Sequence, residues 1–396
     1  MSTRAKAAVL ALSLVVVGYV GLGSVLGRTA NEGAYRQLAV FSEVLAHIQN
    51  DYVEEPNMPR VTVGALRGLL EALDPYSTYL GPREFADYQA KKKAPPAGDV
   101  GLVLSKRGLI GIVAVLPDSP AAAAGLRTGD ALESIAGFST REMSVEEAYL
   151  QLAGEPGSVV KVSVVHEQRA EPEPMELVRA KVRTPKVVSG RLAGDVGYIK
   201  AASLEPGKAA EVRAAIQQLR SQGMQKLILD LRGCASGSMD EGVETARLFL
   251  SSGMITYTQG QRSPRQNFTA APDKTAWTGP LAVLINPGTA GPAEIVAAAV
   301  LDNKRGEVVG QRSYGVGQVQ KIIPLEDGSA LLLSVAKYYT PSGKALLDNA
   351  VTPSVGVEQP AEQALAAQPN AMPATADAVV NKALEVLRSA EARPAA

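Results

Sequence analysis

The stretch from Ile285 to Gln320, INPGTAGPAEIVAAAVLDNKRGEVVGQRSYGVGQVQ, reads as a strand end, a tight glycine-containing turn, a helix and a second glycine loop. Two such loops brought face to face can hold a nucleophile on one and a base on the other. Where those groups would stand, the sequence has Gly291, Pro292 and Val316. Reactive side chains elsewhere are sparse. Cys234 is the only cysteine, so no intrachain disulfide forms. Its thiol is the most nucleophilic group available, and a lone cysteine beside a buried strand is ordinarily inert. There are two histidines, His47 in a helical pattern and His166 in a strand pattern. Both read as structural, which argues against a Ser-His-Asp triad or a His-rich metal site.

The elements that must position this stretch follow from size and patterning. A chain of 396 residues with 46% hydrophobic content supports two or three domains with aliphatic cores. The formal net charge is zero, and no basic patch is large enough for nucleic acid. Lys91-Lys92-Lys93 reads as a solvated linker face. Residues 7–27 carry no charge and would span roughly 30 Å as a helix, the thickness of a bilayer core. Arg4 and Lys6 precede them, so the N-terminus is expected to stay cytoplasmic and the rest to lie outside, periplasmic or extracellular. This predicts a single-pass protein of the cell membrane with its anchor at 7–27. A cleaved signal peptide is the alternative, although no small-x-small cleavage site follows.

Five regions are expected: 1–30 as anchor or signal segment, 31–95 as a helical arm, 96–168, 169–360, and 361–396 as an Ala/Pro linker with a terminal helix. In the arm, Leu38, Phe41, Leu45 and Ile48, then Val63, Leu66, Leu70 and Leu73, recur at helical spacing. These faces serve packing or dimerisation. In 96–168, strand-like runs surround Asp118–Leu126, where Ser119 suits an N-cap and Pro120 the first helical position. Ser144-Val-Glu-Glu147 reads as a capping box opening a helix. From 169 onward, buried strands such as Lys226–Leu231 and Leu281–Ile285 alternate with helices at 208–222, 239–250 and 293–301. That order predicts an α/β core, with 306–310 and 330–336 continuing its sheet. A final helix is expected over 377–390.

Residues 96–168 resemble a PDZ domain in the circularly permuted order of bacterial proteases. The resemblance rests on Gly98-Asp-Val-Gly-Leu102, Ser119-Pro-Ala-Ala-Ala-Ala-Gly-Leu126 and Arg127-Thr-Gly-Asp130. It implies a groove that binds protein or peptide C-termini by adding them as a strand. The loop Gly98, Asp99, Val100, Gly101 and Leu102 would supply the amides that capture the carboxylate.

The span from about Tyr35 to Glu358 resembles the carboxyl-terminal processing peptidases, or tail-specific proteases. Four stretches carry this: Asp74-Pro-Tyr-Ser-Thr-Tyr79, Asp230-Leu-Arg-Gly233, Gly288-Thr-Ala-Gly-Pro-Ala-Glu-Ile295 and Tyr338-Tyr-Thr-Pro-Ser-Gly343. The implied fold is an α/β core of that peptidase type (crotonase-like) with a PDZ domain and an N-terminal helical arm. No cofactor or metal is implied. The family uses a serine nucleophile, a lysine base and a nearby glutamine. Carried over by motif, the serine falls on Gly291, the lysine on Val316, and the glutamine is kept as Gln320. The family separation of 25 residues equals 316 − 291. The residue after the serine, which lends its N–H to the oxyanion, falls on Pro292, which has none. The second oxyanion loop has changed too, reading Asp230-Leu-Arg-Gly-Cys-Ala-Ser-Gly237 where the family has D-L-R-x-N-P-G-G. Gly291 and Pro292 instead suit helix initiation, with Glu294 in the first turn.

Three readings follow. The first is a pseudopeptidase that binds tails and regulates or scaffolds a partner, as a homodimer or with an active relative. The second is an active serine-type or Cys234-based endopeptidase; Thr289, two residues from Gly291, and Ser236 and Ser238, on the facing loop, are the other candidates. The third is an envelope protein whose groove is silent.

Overall fold

The structure, a computed structural model, describes residues 36–166, 169, 171–192, 194–358, 371–374 and 376–389. It divides into two compact units, the first ending at Leu66 and the second starting at Arg67. In the first unit, a helix spans 36–51, and His47 pairs with Asp51 one turn on, at 2.6 Å. Leu38 and Val44 on that helix are exposed.

Among the described residues the second unit holds three sheets. The first runs in the order Leu102–Arg107, Leu109–Val115, Ala131–Ile135, Val159–Val165 and Glu173–Val178, with the short strand Phe138–Ser139 on Ala131–Ile135. Ser119 caps the helix Pro120–Ala123 by accepting from Ala122 N at 3.1 Å, as its sequence predicts. Ser144 likewise caps Val145–Leu152 through Glu147 N. The reciprocal half of the expected box is replaced, because the Glu147 carboxylate pairs with Arg67 at 3.2 Å. The strand Glu173–Val178 lies beyond the expected boundary at 168. Its Glu and Pro residues disguise it, and it pairs with Val159–Val165 along its whole length.

The second sheet is the core. Its order is Val355–Gly356, Glu307–Gly310, Leu281–Ile285, Lys226–Asp230, Val196–Lys200 and Val188–Arg191, all parallel except the last pair. Lys226–Asp230 and Leu281–Ile285 are buried at every residue, which is why they read as unbroken apolar runs rather than alternating ones. One face packs against helices Lys208–Ser221, Met239–Arg247 and Pro292–Asp302 through Val212, Ile216, Val243, Ile295 and Val296. The other packs against the terminal helix Ala378–Ser389 through Val379, Val380, Ala383 and Leu387. That helix therefore belongs to the core rather than to a separate tail; residues 359–370 of the expected linker lie outside the described residues.

The third sheet joins Thr78–Leu80, Ala330–Tyr339, Met254–Gln259 and Gln266–Thr269, with Gln318–Pro324 also on Ala330–Tyr339. The expectation that 330–336 continues the core sheet is thus corrected. The strand alternates buried and half-buried residues, because it pairs antiparallel on both sides instead of lying between helices.

Two further expectations change. Lys91 does not face solvent as part of a linker. It sits in the helix Pro82–Lys93 and donates to Leu150 O of the helix Val145–Leu152. The expected single-pass anchoring in the cell membrane, with a periplasmic or extracellular body, is also corrected. Among the described residues no helix is long and apolar enough to cross a membrane, and the stretch 7–27 lies outside them.

Candidate active site and peptide groove

The strand Leu281–Ile285 runs out into Asn286, which organises the turn. Its Oδ1 accepts from Gly288 N at 3.1 Å and from Gly233 N at 3.0 Å, joining this turn to the loop after Asp230. Thr289 is fully buried, and its hydroxyl donates to Leu231 O at 2.9 Å while accepting from Asn286 N at 3.0 Å. It is therefore spent on the turn.

Gly291 then takes φ +58 and ψ −114, a conformation that strains any residue carrying a side chain. Pro292 opens the helix Pro292–Asp302, nearly all of which is buried. A Cβ built on Gly291 would meet only Met239 Cε at 3.6 Å and Val316 Cγ1 at 4.0 Å. The two motif positions are thus next to each other, with room for a side chain and none present. The distance is that of an ordinary methyl contact.

One carboxylate ties both loops. Glu294 is fully buried; its Oε2 accepts from Gly291 N and Val316 N, both at 2.8 Å. Its Oε1 accepts from Gly315 N at 2.9 Å and from the Ser313 hydroxyl. Burial pushes its carboxyl up to about 7, against the opposing pull of Ser313 and the three amides. The sequence pointed to Glu294 as a first-turn carboxylate, but its hold on the second loop needed the fold.

Gln320 is turned to another task. Its Nε2 donates to Tyr76 O at 2.8 Å, in the Asp74–Tyr79 stretch. The Tyr76 hydroxyl in turn lies 3.1 Å from Ser105 Oγ on the strand Leu102–Arg107. A cavity of about 240 Å3 opens here, lined in part by Tyr76, Ser105, Tyr314, Lys337 and Leu347.

The other motif stretches hold structure. Asp74 Oδ1 accepts from Tyr76 N and Ser77 N, both at 2.8 Å, closing a turn before the strand Thr78–Leu80. Tyr339 stacks on Tyr257 with ring centres 4.9 Å apart, and Tyr338 N donates to Gly317 O. Arg232 sits between two buried carboxylates, donating Nε to Asp230 at 3.0 Å and forking onto Asp377 at 3.1 and 2.9 Å. Burial alone would raise the Asp230 carboxyl; Arg232 and Lys200 outweigh it and hold it down at about 2.

The remaining nucleophile candidates are poorly equipped. Cys234 is completely buried, and that burial, with Asp230 and Glu205 nearby, pushes its thiol well up, away from the reactive thiolate. Ser236 Oγ is buried and has no hydrogen-bond partner among the described residues, so no base among them reaches it. Ser238 caps the helix Met239–Arg247 through Glu241 N. His166 pairs with Asp130 at 3.0 Å, and Arg305 donates to Phe249, Trp277 and Gly279 carbonyls. No group of three or more His, Cys, Asp or Glu among the described residues is placed to hold a metal ion.

In the predicted carboxylate loop, three amides are already taken. Gly98 N donates to Gly154 O, Asp99 N to Ala180 O, and Gly101 N to Asp99 Oδ1 at 2.6 Å. Gly101 is at φ +82, where a Cβ would lie 2.2 Å from Ser119 Cβ, so only glycine fits. Val100 and Leu102 are both buried.

This is an α/β core with a PDZ domain, in which the turn at Gly291 faces the loop that carries Val316. Residues 195–357 match peptidase family S41, and residues 111–165 match a PDZ domain. A carboxy-terminal-processing protease of Bartonella bacilliformis is 32% identical over 84% of this chain and 78% of its own length. A carboxyl-terminal-processing protease of a Synechocystis species is 32% identical over 79% of this chain and 75% of its own. The chain belongs to the carboxyl-terminal processing peptidases of family S41. Its fold matches the photosystem II D1 C-terminal processing protease with a TM-score of 0.67 at 26% identity, covering 81% of this chain and 92% of that one.

Proposed function

We propose that this member of the family binds protein and peptide C-termini through its PDZ domain without cutting them, and acts as a regulator or scaffold. The observation that carries the reading is the placement of Gly291 beside Val316, where a Cβ on Gly291 would lie 4.0 Å from Val316 Cγ1. The position for a nucleophile faces the position for its base, and neither residue has a group that can attack or take up a proton. Pro292 adds the loss of an oxyanion donor. In a serine-type site, removal of nucleophile or base costs roughly 10⁶ in kcat. Its partner would be a second copy or an active relative.

A second reading has support of a different kind. The relatives are named as proteases, over most of this chain's length, and this favours an active endopeptidase that trims C-terminal regions. The side chains at the site oppose it, and Cys234, its best nucleophile, is buried and held as a neutral thiol.

One assay decides between them. The purified chain is offered peptides with apolar free C-termini, and binding and cleavage are followed by fluorescence polarisation and mass spectrometry. Saturable binding of peptides that stay intact is the expected result. Turnover that survives Gly291→Ala and disappears in Cys234→Ala would establish the second reading instead. A groove that binds nothing would leave only a structural role.

A further inference from the structure

A PDZ groove works by strand addition, so its state is read from the backbone groups on its edge. Here the edge is the strand Leu102–Arg107, outermost in its sheet, facing the helix Val145–Leu152. The bulge in this pairing puts its extra residue, Val113, on the neighbouring strand, so backbone groups still alternate along Leu102–Arg107 and the amides of Leu102 and Leu104 point the same way, away from that strand. The Leu104 amide is already in use. It donates to the Tyr149 hydroxyl at 2.8 Å. Tyr149 stands on the facing helix, and its ring packs against the cluster that contains Leu102, Leu104, Ala148 and Leu152. Burial pushes its hydroxyl up to about 12, so it stays neutral and remains an acceptor. The helix that presents it is held from behind by Arg67 on Glu147 and by Lys91 on Leu150 O.

The geometry points to Tyr149 as a built-in substitute for a peptide carbonyl: its hydroxyl fills the hydrogen-bonding position that an added strand uses at Leu104, and a tail enters only by displacing it. This rests on reading the groove as a site for peptide tails. With the terminal residue opposite Leu102, the displaced position takes the carbonyl two residues in from the tail's end. The ring lies in an apolar cluster, so the favoured ligand carries a bulky apolar side chain there to replace it. Tyr149 is therefore a specificity-determining residue of the groove as well as its plug.

The test compares the native chain with Tyr149→Phe, which keeps the ring and removes the hydroxyl. The probes are fluorescein-labelled decapeptides with a free C-terminus and either leucine or serine two residues in from the end, and the same peptides amidated. Removing one competing hydrogen bond should tighten binding of the free leucine peptide roughly three- to tenfold. The serine and amidated peptides should bind more weakly to both proteins. Amide hydrogen exchange at Leu104, measured without peptide, should quicken in Tyr149→Phe, showing that the bond is made in solution. Unchanged or weaker affinity in Tyr149→Phe, with binding to the native chain intact, overturns the plug and leaves the tail-binding reading standing. Failure of both proteins to bind any free-ended peptide overturns the tail-binding reading and the plug with it.

Discussion

A serine at 291 would have to sit on a backbone at φ +58, at a cost of about 1–3 kcal/mol, with its side chain directed toward residue 316. Space is not the obstacle, since the nearest atoms to a Cβ there are a methionine methyl at 3.6 Å and a valine methyl at 4.0 Å. On the reading proposed above, the obstacle is Pro292, which has no N–H to offer an oxyanion. The double variant Gly291→Ser with Val316→Lys is therefore expected to show only weak peptide hydrolysis. Adding Pro292→Ala should raise hydrolysis by roughly 10²–10³-fold, the usual worth of one oxyanion donor. Equal rates in the double and triple variants would show that the donor is not what limits the site. Motif spacing names these three positions without any coordinates, and the structure adds that positions 291 and 316 lie side by side. The sequence could not show that Thr289 is spent on Leu231 O, or that Gln320 reaches Tyr76, since both contacts join segments far apart in the chain.

The helix Pro292–Asp302 and its neighbours are held by buried charge, and the two charged clusters answer to pH in opposite directions. Glu294 has its carboxyl raised from an ordinary 4.5 to about 7. The folded chain keeps this proton after the unfolded chain has released it. Stability from this group is thus greatest below pH 4.5 and declines as pH rises through 7, by about 3 kcal/mol in all. Glu294→Gln should remove that slope in thermal unfolding scans between pH 4.5 and 8, and lower the midpoint overall, because an amide nitrogen would face some of the four donors. Asp230 is lowered instead, from 3.8 to about 2, so its contribution is complete above pH 3.8 and lost as pH falls toward 2. Arg232→Ala strands Asp230 and Asp377 as buried carboxylates, and urea unfolding should record a loss of about 3–5 kcal/mol. Elements with strong local signals were readable in advance: the caps Ser119 and Ser144, and the apolar runs Lys226–Asp230 and Leu281–Ile285. Local pattern puts 330–336 in the core sheet and gives no strand at Glu173–Val178. In both cases the deciding fact is a pairing partner, which local pattern does not encode.

Across the second unit, Tyr76 joins the PDZ strand to the loop side of the core. Its hydroxyl meets Ser105 and its carbonyl accepts from Gln320, at the start of the strand Gln318–Pro324. Peptide in the groove should therefore slow hydrogen exchange in 102–107 and change it in 318–324 as well. Tyr76→Phe is expected to keep the first effect and weaken the second. Exchange in 318–324 that ignores peptide in the native chain would mean the two regions move independently. The domain order along the chain was legible from its motifs, whereas this junction was not. It depends on one tyrosine presenting its side chain to one domain and its backbone to another.

Pro292 also bears on the history of the chain. It starts a buried helix whose first turn is closed by Glu294, so replacing it touches the packing of the core. On the reading proposed above, a full return to catalysis needs a serine, a lysine and the removal of this proline, and the last of these cannot be made without disturbing the start of a core helix.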